Sequence, residues 1–141
     1  MNKNTDKIYE EQTENLYASI GRFAVEFEHV CNYLSSIIMT ILTKEGLENE
    51  NVIQILLADQ TAEPLRALVM ALIPEILELS DKDKKIVKNI ITRVQELTKK
   101  RNEVVHGTWY VGWFGTDKDE FTVAPGRKYK KNKNGCATKK L

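Results

Sequence analysis

Three side chains able to move a proton or neutralise a developing charge sit close together in this sequence: Arg101, Asn102 and His106. They lie within Lys99-Lys100-Arg101-Asn102-Glu103-Val104-Val105-His106-Gly107. Imidazoles as a class titrate near neutrality and act as general base or general acid. A guanidinium is planar and permanently charged, which suits the non-bridging oxygens of a phosphate. An amide can hold an imidazole's orientation or bond a phosphate oxygen. These types fit cleavage of RNA, whose 2′-hydroxyl is its own nucleophile. The protein then needs to supply only proton transfer and charge stabilisation.

Other chemistries find little support. The chain has no Walker-type glycine loop and no HExxH string, and no Ser or Cys stands beside a second usable histidine. His29 and His106 are its only histidines, so a zinc site would be hard to assemble and no metal or other cofactor is expected.

The element that must position the set is a helix opening at Ser80 and running to His106. Ser80 followed by Asp83 reads as a capping box, and Asp81 adds an acid at the positive end. At about 100° per residue, Ile86, Val87, Ile90, Ile91, Val94, Leu97, Val104 and Val105 form one apolar stripe, and Arg101 projects from its middle. A guanidinium there must be paired or must line a wet interface. Asn102 and His106, four apart, share a strip at the edge of that face. Arg101 and His106 are roughly 140° apart, so one straight helix does not aim both at one atom. Either the last turn deforms at Gly107, a residue type that commonly terminates helices, or a second chain supplies the complement. Lys99, Lys100, Arg101 and His106 also all lie near a helix C-terminus, where the macrodipole favours cations whether or not they have a function.

The segment Arg101-Asn102-Glu103-Val104-Val105-His106 resembles the Arg-polar-x-x-x-His signature of the HEPN family, whose members are mostly α-helical RNA-binding or RNA-cleaving domains. The resemblance covers the helical body, about residues 10–107. It implies a metal-independent endoribonuclease acting as a homodimer, with the motifs of two chains meeting in one cleft and His106, Arg101 and Asn102 as catalytic residues. Single-stranded RNA is the implied substrate, a toxin or defence effector the implied setting, and a protein partner such as an antitoxin an implied regulator. A toxin branch of the family carries a tyrosine two residues after the histidine. Here that position is Thr108, which argues against membership of that branch. Some members bind RNA, nucleotides or proteins without cleaving, so a non-catalytic binding module is the alternative. A plain interaction bundle is a third reading.

Around this motif the chain reads as mainly α, a four- to five-helix bundle with a small C-terminal β-hairpin or aromatic loop. With 141 residues, 42% of them hydrophobic, it suits one domain over 1–125. Residues 6–43 read as one long helix with Ile20, Ala24, Phe27, Cys31, Leu34, Ile38 and Ile41 on its core face, widened by Leu16, Phe23, Val30 and Ile37. Tyr17, Gly21, Glu28 and Asn32 flank it. Gly21 would admit another backbone, and Glu28 is the candidate partner of Arg101, a buried carboxylate against a buried guanidinium. His29 points away from the core. A short helix over about 52–58 and a third from Thr61, ended or kinked at Pro74, complete the set before Ser80.

After Gly107 the pattern changes to Trp109-Tyr110-Val111-Gly112-Trp113-Phe114, then Phe121-Thr122-Val123, a hairpin or packed aromatic loop. Trp109 and Trp113 either stack on unpaired bases or cover the open end of the helices. The net charge of +1 conceals an asymmetry: residues 126–141 carry seven Lys and Arg and no acid, against a net of −6 for the rest. Those sixteen residues read as a basic, flexible tail. Lys99, Lys100, Arg127, Lys128, Lys130 and Lys131 are the candidate RNA contacts. Cys31 falls in a helical apolar register and Cys136 in the tail, so no disulfide framework is expected. No run is apolar enough to span a membrane and the N-terminus is unlike a signal peptide, so a soluble cytoplasmic protein is expected.

Overall fold

The structure is a computed structural model describing residues 3–110, 126–132 and 135–141, with side chains described for 7–110, 126–129 and 138–141. It is mainly helical: α1 (Lys3–Lys44), α2 (Glu50–Leu57), α3 (Ala62–Ile76) and α4 (Asp81–Val105). A small antiparallel sheet follows, in the order β1 (Thr108–Trp109), β2 (Gly126–Asn132), β3 (Gly135–Lys140). No helix among the described residues is long and apolar enough to cross a membrane.

The helix boundaries follow local chemistry. α1 ends in a Schellman arrangement: Gly46 takes φ 95°, its N–H bonds Thr43 O at 3.1 Å, and the Leu47 N–H reaches Leu42 O at 3.0 Å. Asn49 caps α2 by accepting from Val52 N. Thr61 has the extended backbone of an N-cap, although its side chain makes no capping bond. Pro74 lies inside α3, which stops two residues later at Ile76. Ser80 caps α4 as the sequence predicts, its Oγ accepting from Asp83 N at 3.2 Å, and Asp83 Oδ2 accepts in return from the Ser80 hydroxyl at 2.6 Å.

The chain divides into two units. One, Glu26–Lys99, holds a continuous apolar core of Phe27, Cys31, Leu34 and Ile38 from α1, Ala62, Leu65 and Val69 from α3, and Ile91 and Val94 from α4. Ile53 of α2 is fully buried as well. The other unit joins Met1–Val25 to Lys100–Leu141 and so contains the start of α1, the end of α4 and the sheet.

Four expectations need correction. Ile37 is exposed and does not widen the core face. The α4 stripe is buried only in part: Ile91 and Val94 are inside and Val87 and Val104 half-buried, whereas Ile86, Ile90 and Leu97 are 47%, 55% and 37% exposed and Val105 is exposed too. Gly21 meets no backbone, since no heavy atom among the described residues lies within 4 Å of where its Cβ would stand. The basic segment 126–141 is not a flexible tail but the two longer strands of the sheet. The two strands pair in a register that runs from Arg127↔Lys140 to Asn132↔Gly135. Of the hairpin or aromatic loop expected over Trp109 to Val123, residues 111–125 lie outside the described residues, and β1 pairs instead with the start of β2.

Because the left-handed backbone at Gly46 disfavours a Cβ, Gly46→Ala should destabilise the chain by about 1 to 2 kcal/mol in urea melts. An unchanged midpoint would refute the Schellman termination.

Candidate functional site

The motif occupies the last turns of α4 and the residue just past them. Arg101 and Asn102 are half-buried, and an Arg101 Nη1 to Asn102 Oδ1 contact of 3.4 Å joins them. The Arg101 Nε atom is fully buried. Measured around the axis from Ile86, Arg101 sits at about 60°, between the exposed side of the stripe at about 0 to 40° and the buried side at about 80 to 140°. That position, at the border of the two sides, accords with its intermediate burial. His106 is exposed and follows directly on α4, with its backbone N–H closing the last turn on Asn102 O at 3.2 Å.

The way α4 ends decides where His106 stands. A helix leaves its final carbonyls without intrahelical donors. Here later residues supply them. Lys128 Nζ bonds Asn102 O at 2.9 Å, and the Trp109 indole N–H bonds Val104 O at 2.9 Å. Lys139 Nζ pairs with the Glu103 carboxylate. The last turn of α4 carries no cation of its own, so the strands provide the positive charge that its dipole favours.

Gly107 makes this approach feasible through its size. Its backbone is not left-handed; instead a Cβ there would stand 2.6 Å from Glu103 O and would collide with the Leu141 side chain. Gly126 is similarly confined, its would-be Cβ meeting the Trp109 ring at 2.9 Å and Leu141 Cβ at 3.0 Å. Trp109 therefore covers the helix end, and of the two roles open to it the structural one is seen. Trp113 lies outside the described residues.

Glu28 is exposed on α1 and is not the buried carboxylate expected. The wheel gives the reason: Phe27, Cys31, Leu34, Ile38 and Ile41 fill an arc of about 80°, and Glu28 falls roughly 60° outside it. His29 is exposed as expected, 3.6 Å from Glu26.

Among the candidate RNA contacts, Lys99 and Lys100 are exposed on α4, while Lys128 is committed to the helix terminus. Arg127 lies on β2 with its guanidinium over the Tyr110 ring, 6.0 Å from the centroid, and Lys130 and Lys131 follow in the same strand. The Tyr110 and Tyr129 hydroxyls share a 3.4 Å hydrogen bond, which together with burial holds the Tyr110 phenol above the usual tyrosine range, Arg127 pulling the other way. Sequence reasoning missed this Arg127, Tyr110 and Tyr129 cluster. The available signal was the placing of Arg127 and Tyr129 two apart, which sets both on one face of a strand.

Two cavities lie in the other unit and contain none of the motif residues. One of about 560 Å³ is lined by Met70, Ile73, Pro74, Leu77 and Val87 with Lys84 and Lys88, and one of about 370 Å³ by Tyr33, Ile37, Ile41, Ile73 and Ile76. Among the described residues, no three His, Cys, Asp or Glu side chains are grouped so as to hold a metal ion.

Gly107→Ala should destabilise the chain by about 1 to 3 kcal/mol, since the Glu103 carbonyl it would strike is part of the helix backbone and cannot swing aside. A urea midpoint equal to wild type would show that the close approach is not required.

No family model matches the chain, and neither a curated protein nor a solved structure matches it, so its site is read from its own geometry.

Proposed function

We propose that the chain is a metal-independent endoribonuclease of HEPN type. The observation that carries this reading is an exposed imidazole, His106, one helical turn beyond a contacting Arg101–Asn102 pair at a tightly closed helix end. His106 takes the proton of the RNA 2′-hydroxyl as its oxygen bonds to phosphorus. A protonated imidazole returns a proton to the 5′-oxygen as the P–O5′ bond breaks. Arg101 neutralises the non-bridging oxygens of the phosphorane, and Asn102 orients the imidazole or a phosphate oxygen. The products are a 2′,3′-cyclic phosphate and a 5′-hydroxyl.

One chain offers one such histidine, and Arg101 and His106 diverge around the axis. A second copy supplies the complementary acid. The exposed side chains of Ile86, Ile90 and Leu97 along α4 support a homodimer in which these helices meet. The buried Nε of Arg101 favours a second reading, a non-catalytic module that binds RNA, a nucleotide or a protein while Arg101 serves packing.

Light scattering should report about twice the chain mass of 16.2 kDa. Ile90→Glu, at an exposed position, should return it to one chain without loss of helicity. A strict monomer in the wild type would remove the two-chain site.

Cleavage of labelled single-stranded RNA should persist in EDTA and disappear in His106→Ala. Arg101→Ala should slow it by about 100-fold or more, the scale of a lost charge stabiliser. Wild-type rates in His106→Ala would end the nuclease reading. A chain that binds RNA without cleaving it would leave the second.

A further inference from the structure

The three-stranded sheet has two faces with different uses. Successive side chains of a strand point to opposite sides, and residues directly opposed across a ladder share a side. Lys128 and Lys139 are opposed, and both reach the end of α4, one at Asn102 O and the other at the Glu103 carboxylate. Gly126 and Trp109 are opposed as well and belong to the same packed face. The alternate residues therefore form the other face: Arg127 opposite Lys140, and Tyr129 opposite Thr138. Tyr129 is 51% exposed, and Lys140 and Thr138 are exposed. Tyr110 adjoins them, its ring under the Arg127 guanidinium and its hydroxyl on that of Tyr129.

Two features of this outer face point to its occupant. Like charges directly opposed across a ladder are unfavourable. The Lys128–Lys139 pair is offset by the carbonyl and carboxylate of α4, and Arg127 and Lys140 lie on the other face of a segment, 126–141, that carries seven Lys and Arg and no acidic residue. So basic a segment favours a polyanion. Beside it stands an exposed tyrosine ring, a surface on which a nucleobase can stack. Phosphates and accessible base faces occur together on single strands, since a duplex hides its bases within the stack.

We propose that this outer face is a docking platform for single-stranded RNA, in which a base stacks on Tyr129 while Arg127 and Lys140 hold the flanking phosphates. The inference rests on the reading of RNA as the substrate and adds the surface that would present it. It also assigns different roles to neighbouring lysines: Lys128 and Lys139 tie the sheet to α4, and Lys140 faces the ligand.

The test is fluorescence anisotropy of a labelled oligouridine RNA titrated with the full chain carrying His106→Ala, in EDTA, so that binding is measured without cleavage. In that background Tyr129→Ala and Tyr129→Val should each weaken binding about tenfold, and Tyr129→Phe, which keeps the ring, should bind as the parent does. Valine preserves strand propensity, so its loss would not report a failed hairpin; circular dichroism melts check this directly. Arg127→Ala should weaken binding and lower the slope of log affinity against log salt by about one. Lys85→Ala, which removes one exposed cation on α4 in the other unit, should change affinity less than twofold.

Parent-like binding by Tyr129→Val would overturn the proposal. So would equal losses in Arg127→Ala and Lys85→Ala, or equal affinity of the parent for an RNA duplex, or no binding of oligouridine by the parent. The two readings fail separately. Wild-type protein that does not cleave but binds through Tyr129 would sink the nuclease and leave the platform. Cleavage undiminished by Tyr129→Val at subsaturating RNA would leave the nuclease and sink the platform.

Discussion

The closure of the α4 C-terminus is the constraint on which the rest of the motif-bearing unit depends. A helix that stops must find donors for its last carbonyls, and α4 finds them in residues that come after it in the chain. The Lys128 ammonium and the Trp109 indole converge on two carbonyls of the last turn, and the Lys139 ammonium adds an ion pair at Glu103. Gly107 permits this by presenting no Cβ to the Glu103 carbonyl. His106 lies between the helix and that glycine, so its backbone is held by contacts made on either side of it.

The second constraint is the division of the α4 stripe. Ile91 and Val94 are consumed by the core of the Glu26–Lys99 unit, leaving Ile86, Ile90 and Leu97 facing outward. Burying what remains exposed of these three would contribute about 1 kcal/mol each. Association costs about 4 to 15 kcal/mol in lost translational and rotational freedom, so these side chains alone would not hold a dimer. Further apolar surface is present on α1, where Tyr17 and Val25 are more than half exposed and Gly21 leaves bare backbone between them. A glycine in mid-helix costs about 1 kcal/mol relative to alanine. Within the described residues nothing takes advantage of the space it leaves.

The sheet reconciles two demands on the same basic segment. Seven cations in sixteen residues would repel one another in a strand pair unless some were neutralised. Alternation sends Lys128 and Lys139 to the negative end of a helix, a favourable site for an ammonium. What is left on the opposite face is Arg127, Tyr129 and Lys140, together with Tyr110. The chain thus stabilises its hairpin with the lysines on one side and keeps charge and aromatic surface on the other.

The sequence by itself determined the helices, because their signals are local. The Ser80/Asp83 box, the Asn49 cap, Gly46 and the four-and-three spacing of Phe27, Cys31, Leu34, Ile38 and Ile41 each act within a few residues, and all appear where their chemistry requires. The positions of Arg101, Asn102 and His106 on one helix end were equally legible. Tertiary structure decided what is non-local. A period of apolar residues tells which side of α4 can be buried but not how much of it finds a partner, so Ile86, Ile90 and Leu97 could not be told apart from Ile91 and Val94. Composition made 126–141 look like a solvated tail; only the pairing of its two halves and the carbonyls of a helix many residues earlier give its lysines a place.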